Sequence, residues 1–338
     1  MFFSKNKTIL GIDIGTSDIK MVQITHGDRP VLDTYGIVNF PNNNELKFSD
    51  QSIVKTAEIL TELAKRSGVS TNKAIVSLPN AQVFTSLIEL PKMAESELNS
   101  AMEFEAKKHI PLPSAEISLS WSVVGESKIS GNYEVLLTAV PKALQTIYVR
   151  LFSLAGFELK VVDIESLALQ RSVGDKSYGN YAIIDIGAKT TVVSFFANEL
   201  LQFNRNISFG GETVTSRIAS SLNISFKRAE QFKYDFGVSD STYIPDAIRP
   251  VLDSIKNQIK QLVILFRSSG YELDTIIVVG GGSKIPGLMD YFKDIAPKIM
   301  HGDPLKKIQY RQDLAPVLQN YKSNLALAIG LALNSDFK

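Results

Sequence analysis

GIDIGTSDIK (residues 11–20) and AIIDIGAKTTVV (182–193) carry the same tetrapeptide, IDIG, at 12–15 and 184–187. In each copy an apolar run ends in an aspartate, Asp13 or Asp185, with a glycine two positions later and a second apolar run after a short tip. Strand, tip, strand is the pattern of a β-hairpin. Residues 8–25 read as one hairpin with its tip at 15–18, where Gly15 is free to take dihedrals that other residues avoid. Residues 180–206 read as strand, turn, strand, a second turn at Asn198, and a third strand.

A chain of 338 residues is long enough for two domains or one large two-lobed molecule with an ample core. Lys and Arg number 36 against 35 Asp and Glu, so net charge gives no reason to expect nucleic acid or an anionic membrane surface as a partner. There is no cysteine, which excludes disulfides, thiolate metal sites and thiol nucleophiles and suits a reducing compartment. His26, His109 and His301 have no ligand spacing, so a metal held purely by protein side chains is not expected. No apolar run reaches the roughly 18 to 20 residues of a spanning helix, and MFFSKNK lacks the apolar core of a secretory signal. The expected address is the cytoplasm.

Between the two copies, residues 53–68 have helical apolar spacing and stop at Gly68, and 73–79 form a short buried strand. From about 82 to 160 the texture changes. A strand VFTSLIEL, a helix ESELNSAMEFEAKKHI, strands around WSVVG and YEVLLTAV, and a helix from Pro141 to Gly156 read as an inserted α+β subdomain. In that last helix Pro141 suits the first turn, and Leu144, Ile147, Leu151 and Leu154 share a face. After the second copy come helices over 210–222 and 225–237. A long amphipathic helix follows over 245–269, with Ile248, Val251, Leu252, Ile255, Ile259, Leu262 and Phe266 on its core side. DTIIVVGGGSKIPGL (274–288) reads as a buried strand, a triple-glycine turn and a helix starting near Pro286. NLALAIGLALN (324–334) reads as a short apolar helix. The expected division is 1–81, 82–160 and 161–338.

A polyphosphate needs backbone N–H donors at close range and a carboxylate to hold the waters of an octahedral Mg²⁺. GIDIGTSDIK supplies Gly15 for close approach, Thr16 and Ser17 as donors, Asp13 for the cation, and Lys20 as a point charge. The second tip, with Asp185, Gly187 and Ala188, would face the first across a cleft. Gly280, Gly281 and Gly282 would let backbone lie flat against a purine or a phosphate. A hairpin tip or a glycine turn alone is usually only a turn; their order and spacing together carry the reading.

On these motifs the chain resembles the actin-like ATPase superfamily. That resemblance implies an α/β, two-lobed actin-like fold of repeated ribonuclease-H-like domains, with ATP and Mg²⁺ in the cleft and one phosphate tip from each lobe. GIDIGTSDIK looks like the first phosphate motif and AIIDIGAKTTVVSFF like the second. TIIVVGGGSKIPGL, with Lys284, looks like the adenosine motif. VVDIESLALQR (161–171) and LALAIGLAL look like the two connecting helices, the second returning to the first lobe. By resemblance Glu165 would position an attacking water and Asp185 would join it in catalysis, with Mg²⁺ held by Asp13 and Asp185 mostly through water. Gly211, Glu212, Glu230 and Lys233 would line the nucleoside end. Glu165 also reads as an ordinary helix-start carboxylate, and Glu230 with Lys233 as an exposed ion pair; both alternatives stand at this point. Ala188-Lys189 departs from the glycine-rich continuation usual in the second motif.

Within the superfamily, residues 101–121, 134–157, 161–171 and 207–233 are similar to the PilM family of the FtsA-like branch, in order over nearly the whole chain. That resemblance implies an ATP-binding adaptor of type IV pilus assembly with slow or absent hydrolysis. It would capture the N-terminal cytoplasmic tail of the inner-membrane protein PilN in a groove beside the insert, and link other pilus inner-membrane and motor components. It would reach the membrane only through partners, bind no nucleic acid, and have self-association open to it. The alternatives are an FtsA-like division or filament-forming ATPase and a small-molecule kinase. No acceptor-pocket aspartate supports the kinase, and the sequence ends at Asn334-Ser335-Asp336-Phe337-Lys338 without the amphipathic anchor expected of a division protein.

Overall fold

The computed structural model describes residues 7–40, 49–110, 112–127, 130–238 and 244–335. Expectations about the first six and last three residues and the His109 side chain lie outside them.

The repeated motif marks a repeated sheet. In the first lobe β1 (Thr8–Ile14), β2 (Asp18–Thr25) and β3 (Val31–Asn39) form an antiparallel meander. Helix α1 (Asp50–Ser67) then crosses to β4 (Lys73–Leu78), which lies parallel to β1. Gly68 ends α1 in the left-handed conformation, as its position predicted. In the second lobe β9 (Tyr181–Ile186), β10 (Thr191–Ala197) and β11 (Leu200–Ile207) repeat the meander. There β12 (Thr275–Val279) lies parallel to β9 and β13 (Lys298–His301) parallel to β12. With β8 (Glu158–Ile164) on the outside of the first sheet, the strand orders are β3-β2-β1-β4-β8 and β11-β10-β9-β12-β13. Position for position, the two sheets are alike.

The inserted unit is a three-stranded antiparallel sheet, ordered β5 (Phe84–Leu90), β7 (Tyr133–Pro141), β6 (Ile117–Glu126). Helix α2 (Glu95–His109) covers it, and Leu98, Met102 and Ala106 share a small core with Val135, Leu137 and Ala139. Helix α3 (Lys142–Leu154) does not belong to this core. Its Leu144, Tyr148, Leu151 and Phe152 pack with Ile53, Leu60 and Val76 of the first lobe. The expected boundary at 160/161 falls inside a strand, with α3 and β8 packed on the first lobe; the one at 81/82 lies in the turn before β5.

The buried face of α3 is also turned from the expected one. Tyr148 and Phe152 take core places at helical spacing, while Leu154 is 52% exposed. Pro141 caps α3 as the last residue of β7 rather than standing in its first turn. Residues 161–164, expected as the start of a connecting helix, are strand, because Val161, Val162 and Ile164 pair with β4; α4 (Glu165–Val173) starts only at Glu165.

After β11 come α5 (Gly211–Leu222), α6 (Phe226–Phe236) and α7 (Ile244–Ser268). On α7, Val263 is buried and Leu262 sits at the edge of the core, a one-residue shift from the expected stripe. A short helix α8 (Leu288–Phe292) begins two residues beyond Pro286, and α9 (Ala315–Ala332) is longer than the apolar segment 324–334 suggested. Its first turns are amphipathic and only its second half is buried all round.

Helices α4 and α9 cross between the sheets and share one core with Ile9, Val22 and Ile24 of the first lobe and Ile183, Ile277 and Val279 of the second. At the crossing a Cβ on Gly330 would overlap the Ala168 carbonyl. Gly to Ala within a helix ordinarily gains about 0.5–1 kcal/mol; overpacking here costs about 1–3 kcal/mol. Gly330→Ala is therefore expected to lower the urea midpoint of unfolding, and an unchanged or raised midpoint would remove this close approach as a determinant of the lobe junction.

Candidate functional site

The two hairpin tips close in the same way. The Gly15 N–H donates to the Asp18 carbonyl and the Gly187 N–H to the Thr190 carbonyl, both at 2.9 Å and at the same offset within the repeat. Gly15 is selected for space rather than for a left-handed dihedral: a Cβ would stand 2.9 Å from Asp18 Oδ1. The second tip also supports α5, whose Gly211 and Glu212 N–H groups donate to the carbonyls of Gly187 (2.9 Å) and Ala188 (2.8 Å). On its other side lies the triple glycine. Gly280 is left-handed (φ 83°), and a Cβ there would overlap the Asp185 carboxylate and the Ile186 carbonyl. Gly282 lies equally close to the Ile186 side chain. Two of the three glycines are thus required by packing within the chain.

These pieces line one cleft of ≈ 640 Å³ between the lobes. Of the residues singled out in the sequence, Asp13, Gly15, Thr16, Ser17, Lys20, Glu165, Asp185, Gly187, Ala188, Gly211, Glu212, Glu230, Lys233, Gly280, Gly281 and Gly282 are on its wall. Lys284 is not: its ammonium lies 5.2 Å from the centre of the Tyr321 ring, and burial lowers its pKa.

Both lysines of the cleft wall are already engaged. Lys20 Nζ donates to Asp13 Oδ2 (3.1 Å) and Asp18 Oδ1 (2.5 Å). Burial alone would lower its pKa, but the two carboxylates outweigh burial and hold it above the ordinary value. Lys233 is buried rather than exposed, donating to Glu230 (2.8 Å), Thr215 Oγ1 (3.0 Å) and the Gly211 carbonyl (3.2 Å). Burial lowers its pKa against the pull of Glu230. Its geometry fixes Glu230 at the cleft wall.

Burial raises three carboxyl groups. It pushes Glu165 up to about 8, with the charges of Asp13 and Asp185 adding and a hydrogen bond from the Asn80 N–H (2.9 Å) opposing. Asp185 rises to about 6 through burial and the charge of Asp13. Asp13 rises through burial despite Lys20. The Glu165 carboxylate, at the first position of α4, is thus turned towards Asn80 and the cleft.

Asp18, Asn80, Asn206, Tyr234 and Asn324 also line the cleft and were not singled out in the sequence. One signal was present: a hairpin with its tip at 15–18 pairs residue 13 with residue 20, and Asp13 does oppose Lys20. Nothing local marks Asn80 or Asn324.

The wall carries six carboxylates (Asp13, Asp18, Glu165, Asp185, Glu212, Glu230) and two ammonium groups (Lys20, Lys233). Such a surface suits an anion only when a divalent cation comes with it. Among the described residues no three His, Cys, Asp or Glu are grouped to ligate one metal, so Asp13 and Asp185 fit a cation through its water shell. The Asn324 Oδ1 is buried without a hydrogen-bond partner, an acceptor open to an occupant.

A second cavity, of ≈ 520 Å³, opens beside the inserted sheet. It is lined by Val83, Phe84, Ile110, Leu112, Leu144 and Ile147, and it shares Ala81 and Gln82 with the cleft.

The sequence model of the family described as type IV pilus assembly protein PilM matches residues 11–336. This chain belongs to the PilM family. Among solved structures it is similar to a PilM-PilN type IV pilus biogenesis complex, at TM-score 0.84 and 24% identity over 96% of this chain and 97% of that one. The actin-like fold is shared with MreB5 of Spiroplasma citri bound to ADP, at TM-score 0.53 and 14% identity over 96% and 94% of the two chains. Cell division protein FtsA of Bacillus subtilis is 22% identical over 347 residues, 86% of this chain and 77% of that protein. The match to FtsA of Streptococcus pneumoniae spans only 36% of that protein's length. No helix among the described residues of this PilM-family chain is long and apolar enough to cross a membrane.

A carboxyl whose pKa is raised in the fold keeps a proton that the unfolded chain has released, so stability declines as pH rises from the ordinary value towards the folded one. For Glu165 that window runs from 4.5 to about 8. In urea titrations without nucleotide or Mg²⁺, Glu165→Gln should therefore gain stability relative to the parent protein as pH goes from 5 to 8. Parallel pH curves would show that Glu165 is not held protonated.

Proposed function

We propose that this PilM-family chain binds Mg-ATP in the interlobe cleft and captures the N-terminal cytoplasmic tail of PilN in the apolar groove beside the inserted sheet. It would thereby tie a membrane pilus complex to the cytoplasmic motor. The observation that carries this reading is that one chain holds two distinct cavities, a polar cleft framed by paired hairpin tips and an apolar groove next to it. In the cleft, Gly15, Thr16, Ser17, Gly187 and Ala188 would approach the phosphates, and Asp13 and Asp185 would hold the cation's waters. Glu230, fixed by Lys233, would meet the nucleoside with Gly211, Glu212 and the triple glycine. When bound, the metal neutralises phosphate charge; Glu165, poised near neutral pH, would orient or deprotonate a water. Hydrolysis is not required for tail capture, which needs only an apolar groove for an extended or helical segment. On this reading the protein works in the cytoplasm and reaches the inner membrane through its partner.

Two variants test the two cavities separately. Asp13→Asn should weaken Mg-ATP binding by about tenfold or more, the order of one lost charge-assisted interaction, and have little effect without Mg²⁺. Equal affinity for Mg-ATP would remove Asp13 from the cation site. Phe84 and Leu112 line the groove and are 40% and 42% exposed, so they can be changed without opening a core. Leu112→Glu should reduce binding of a PilN tail peptide by tenfold or more in calorimetry and leave Mg-ATP affinity unchanged; retained peptide binding would place the tail elsewhere. The similarity to FtsA favours a second reading, a polymerising ATPase, which would be recognised by Mg-ATP-dependent sedimentation.

A further inference from the structure

The cleft and the groove meet at a single short turn. Between β4 and β5 the chain makes one turn of 3-10 helix, Asn80–Gln82, and its residues face both ways: Asn80 lines the cleft, while Ala81 and Gln82 line the cleft and the groove together. The groove wall then continues directly into Val83 and Phe84.

This turn is held by the start of α4. The Asn80 N–H donates to Glu165 Oε2 (2.9 Å), and the Asn80 side-chain amide donates to Ser166 Oγ (3.2 Å). Ser166 in turn is 2.7 Å from Ser194 Oγ on β10 and accepts from Asn204 Nδ2 on β11 (3.2 Å), both in the second lobe. Asn204 Nδ2 also reaches Thr85 Oγ1 on β5 at 3.4 Å. Asn80, Ser166 and Ser194 are all buried. A continuous polar chain therefore joins the first lobe, the second lobe and the inserted sheet.

The chain is not fully satisfied. The Asn80 Oδ1 is buried with no hydrogen-bond partner, so this arrangement of the turn leaves an acceptor unpaired, and a rearranged turn that pairs it is not penalised on that account. The backbone anchor at the other end is the carboxylate of Glu165, itself on the cleft wall. A group that draws on Glu165 Oε2 competes with the Asn80 N–H for that oxygen.

We propose that the Asn80 turn is a relay between the two cavities, with Asn80 as the positioning residue, so that occupancy of the cleft resets the wall of the groove at Ala81–Phe84 and occupancy of the groove resets the cleft at Glu165. The inference rests on the reading of the cleft as a nucleotide site and of the groove as a peptide site. Because coupling is a free energy between sites, it acts equally in both directions. Nucleotide must change peptide affinity by the same factor as peptide changes nucleotide affinity.

The test is a binding cycle on the full chain by calorimetry, with Mg-AMPPNP and a synthetic peptide of the cytoplasmic N-terminus of the cognate PilN. The affinity of each is measured with and without saturating amounts of the other. The parent protein should show a coupling factor of about 5-fold or more, equal in the two directions. In Asn80→Ala and in Ser166→Ala that factor should fall to within about twofold of unity, whatever the two baseline affinities become, because a purely structural defect shifts the baselines without abolishing their ratio. Hydrogen exchange on the parent protein provides a second measurement that does not depend on either variant folding: Mg-AMPPNP alone should change exchange across residues 80–84, and peptide alone should change it at 165–166. A coupling factor of one in the parent protein, or coupling undiminished in both variants, overturns the relay while leaving both binding sites standing. Failure of either ligand to bind the parent protein at all removes the underlying assignment of the cavity, and the relay with it.

Discussion

Everything the cleft does depends on two helices passing each other at backbone distance. Gly330 of α9 lies against the Ala168 carbonyl of α4, and around this crossing one apolar core takes residues from both five-stranded sheets. A core shared between lobes makes the junction stiff, since close-packed interiors transmit displacement rather than absorb it. Arg171 on α4 adds a polar clasp, donating to the Gly330 carbonyl at 3.0 Å and pairing with Asp163, which also accepts from Asn334 beyond the end of α9. The tips of β1–β2 and β9–β10 are carried on the sheets that this junction joins, so their separation is set by helix packing and not by contact between the tips themselves.

With the separation fixed from below, the molecule can hold like charges together. Asp13, Asp185 and Glu165 are all desolvated, the charge of Asp13 raises the pKa of the other two and that of Asp185 adds at Glu165, an arrangement that self-repulsion would spread apart if the walls were free to move. Lys20 neutralises part of it, yet it is shared with Asp18, and among the described residues Glu165 and Asp185 have no ion pair of their own. The repulsion is the counterpart of affinity: a cation entering with its water shell relieves it, and an anion without a cation meets a wall of carboxylates. Lys20, which a sequence reading assigns to phosphate, and Lys233, which it assigns to the nucleoside, hold Asp13 and Glu230 in place.

The parts legible in the sequence were those with short-range grammar. IDIG followed by a second apolar run dictated both hairpins, Gly68 dictated the end of α1, and GGG after a buried strand dictated a sharp turn. These depend on neighbours in the chain, and the sixteen site residues brought to the cleft wall come largely from such motifs. What stayed hidden depends on pairing at a distance. The stretch 158–164 has apolar residues that suit strand or helix, and only its register against β4 decides. The buried face of α3 was misread because Tyr148 and Phe152 carry less apolar weight in a pattern than Ile147 and Leu154, although the pocket under the helix takes the larger rings. The i, i+3 spacing of Lys233 to Glu230 left exposure and a nucleoside contact both open; its burial comes with Thr215 and Gly211 on another helix.

The near-identity of the two sheets makes their differences informative. Each lobe has one long excursion, but at different connections. The second lobe expands between β11 and β12 with α5, α6 and α7, and joins β12 to β13 through the short α8 alone. Among the described residues, the first lobe joins β3 to β4 with α1 and expands between β4 and β8 with the inserted sheet, α2 and α3. In the second lobe the excursion from the third to the fourth strand reaches the cleft, where α5 and α6 contribute Glu212, Glu230 and Lys233 to its wall. An excursion between the two outer parallel strands is carried to the flank of its lobe, where a groove between β5, α2 and α3 opens outward. The duplicated sheet thus leaves room for two unlike sites. They are kept in contact because the flank excursion begins at Asn80, immediately after a strand that is parallel to the one bearing Asp13.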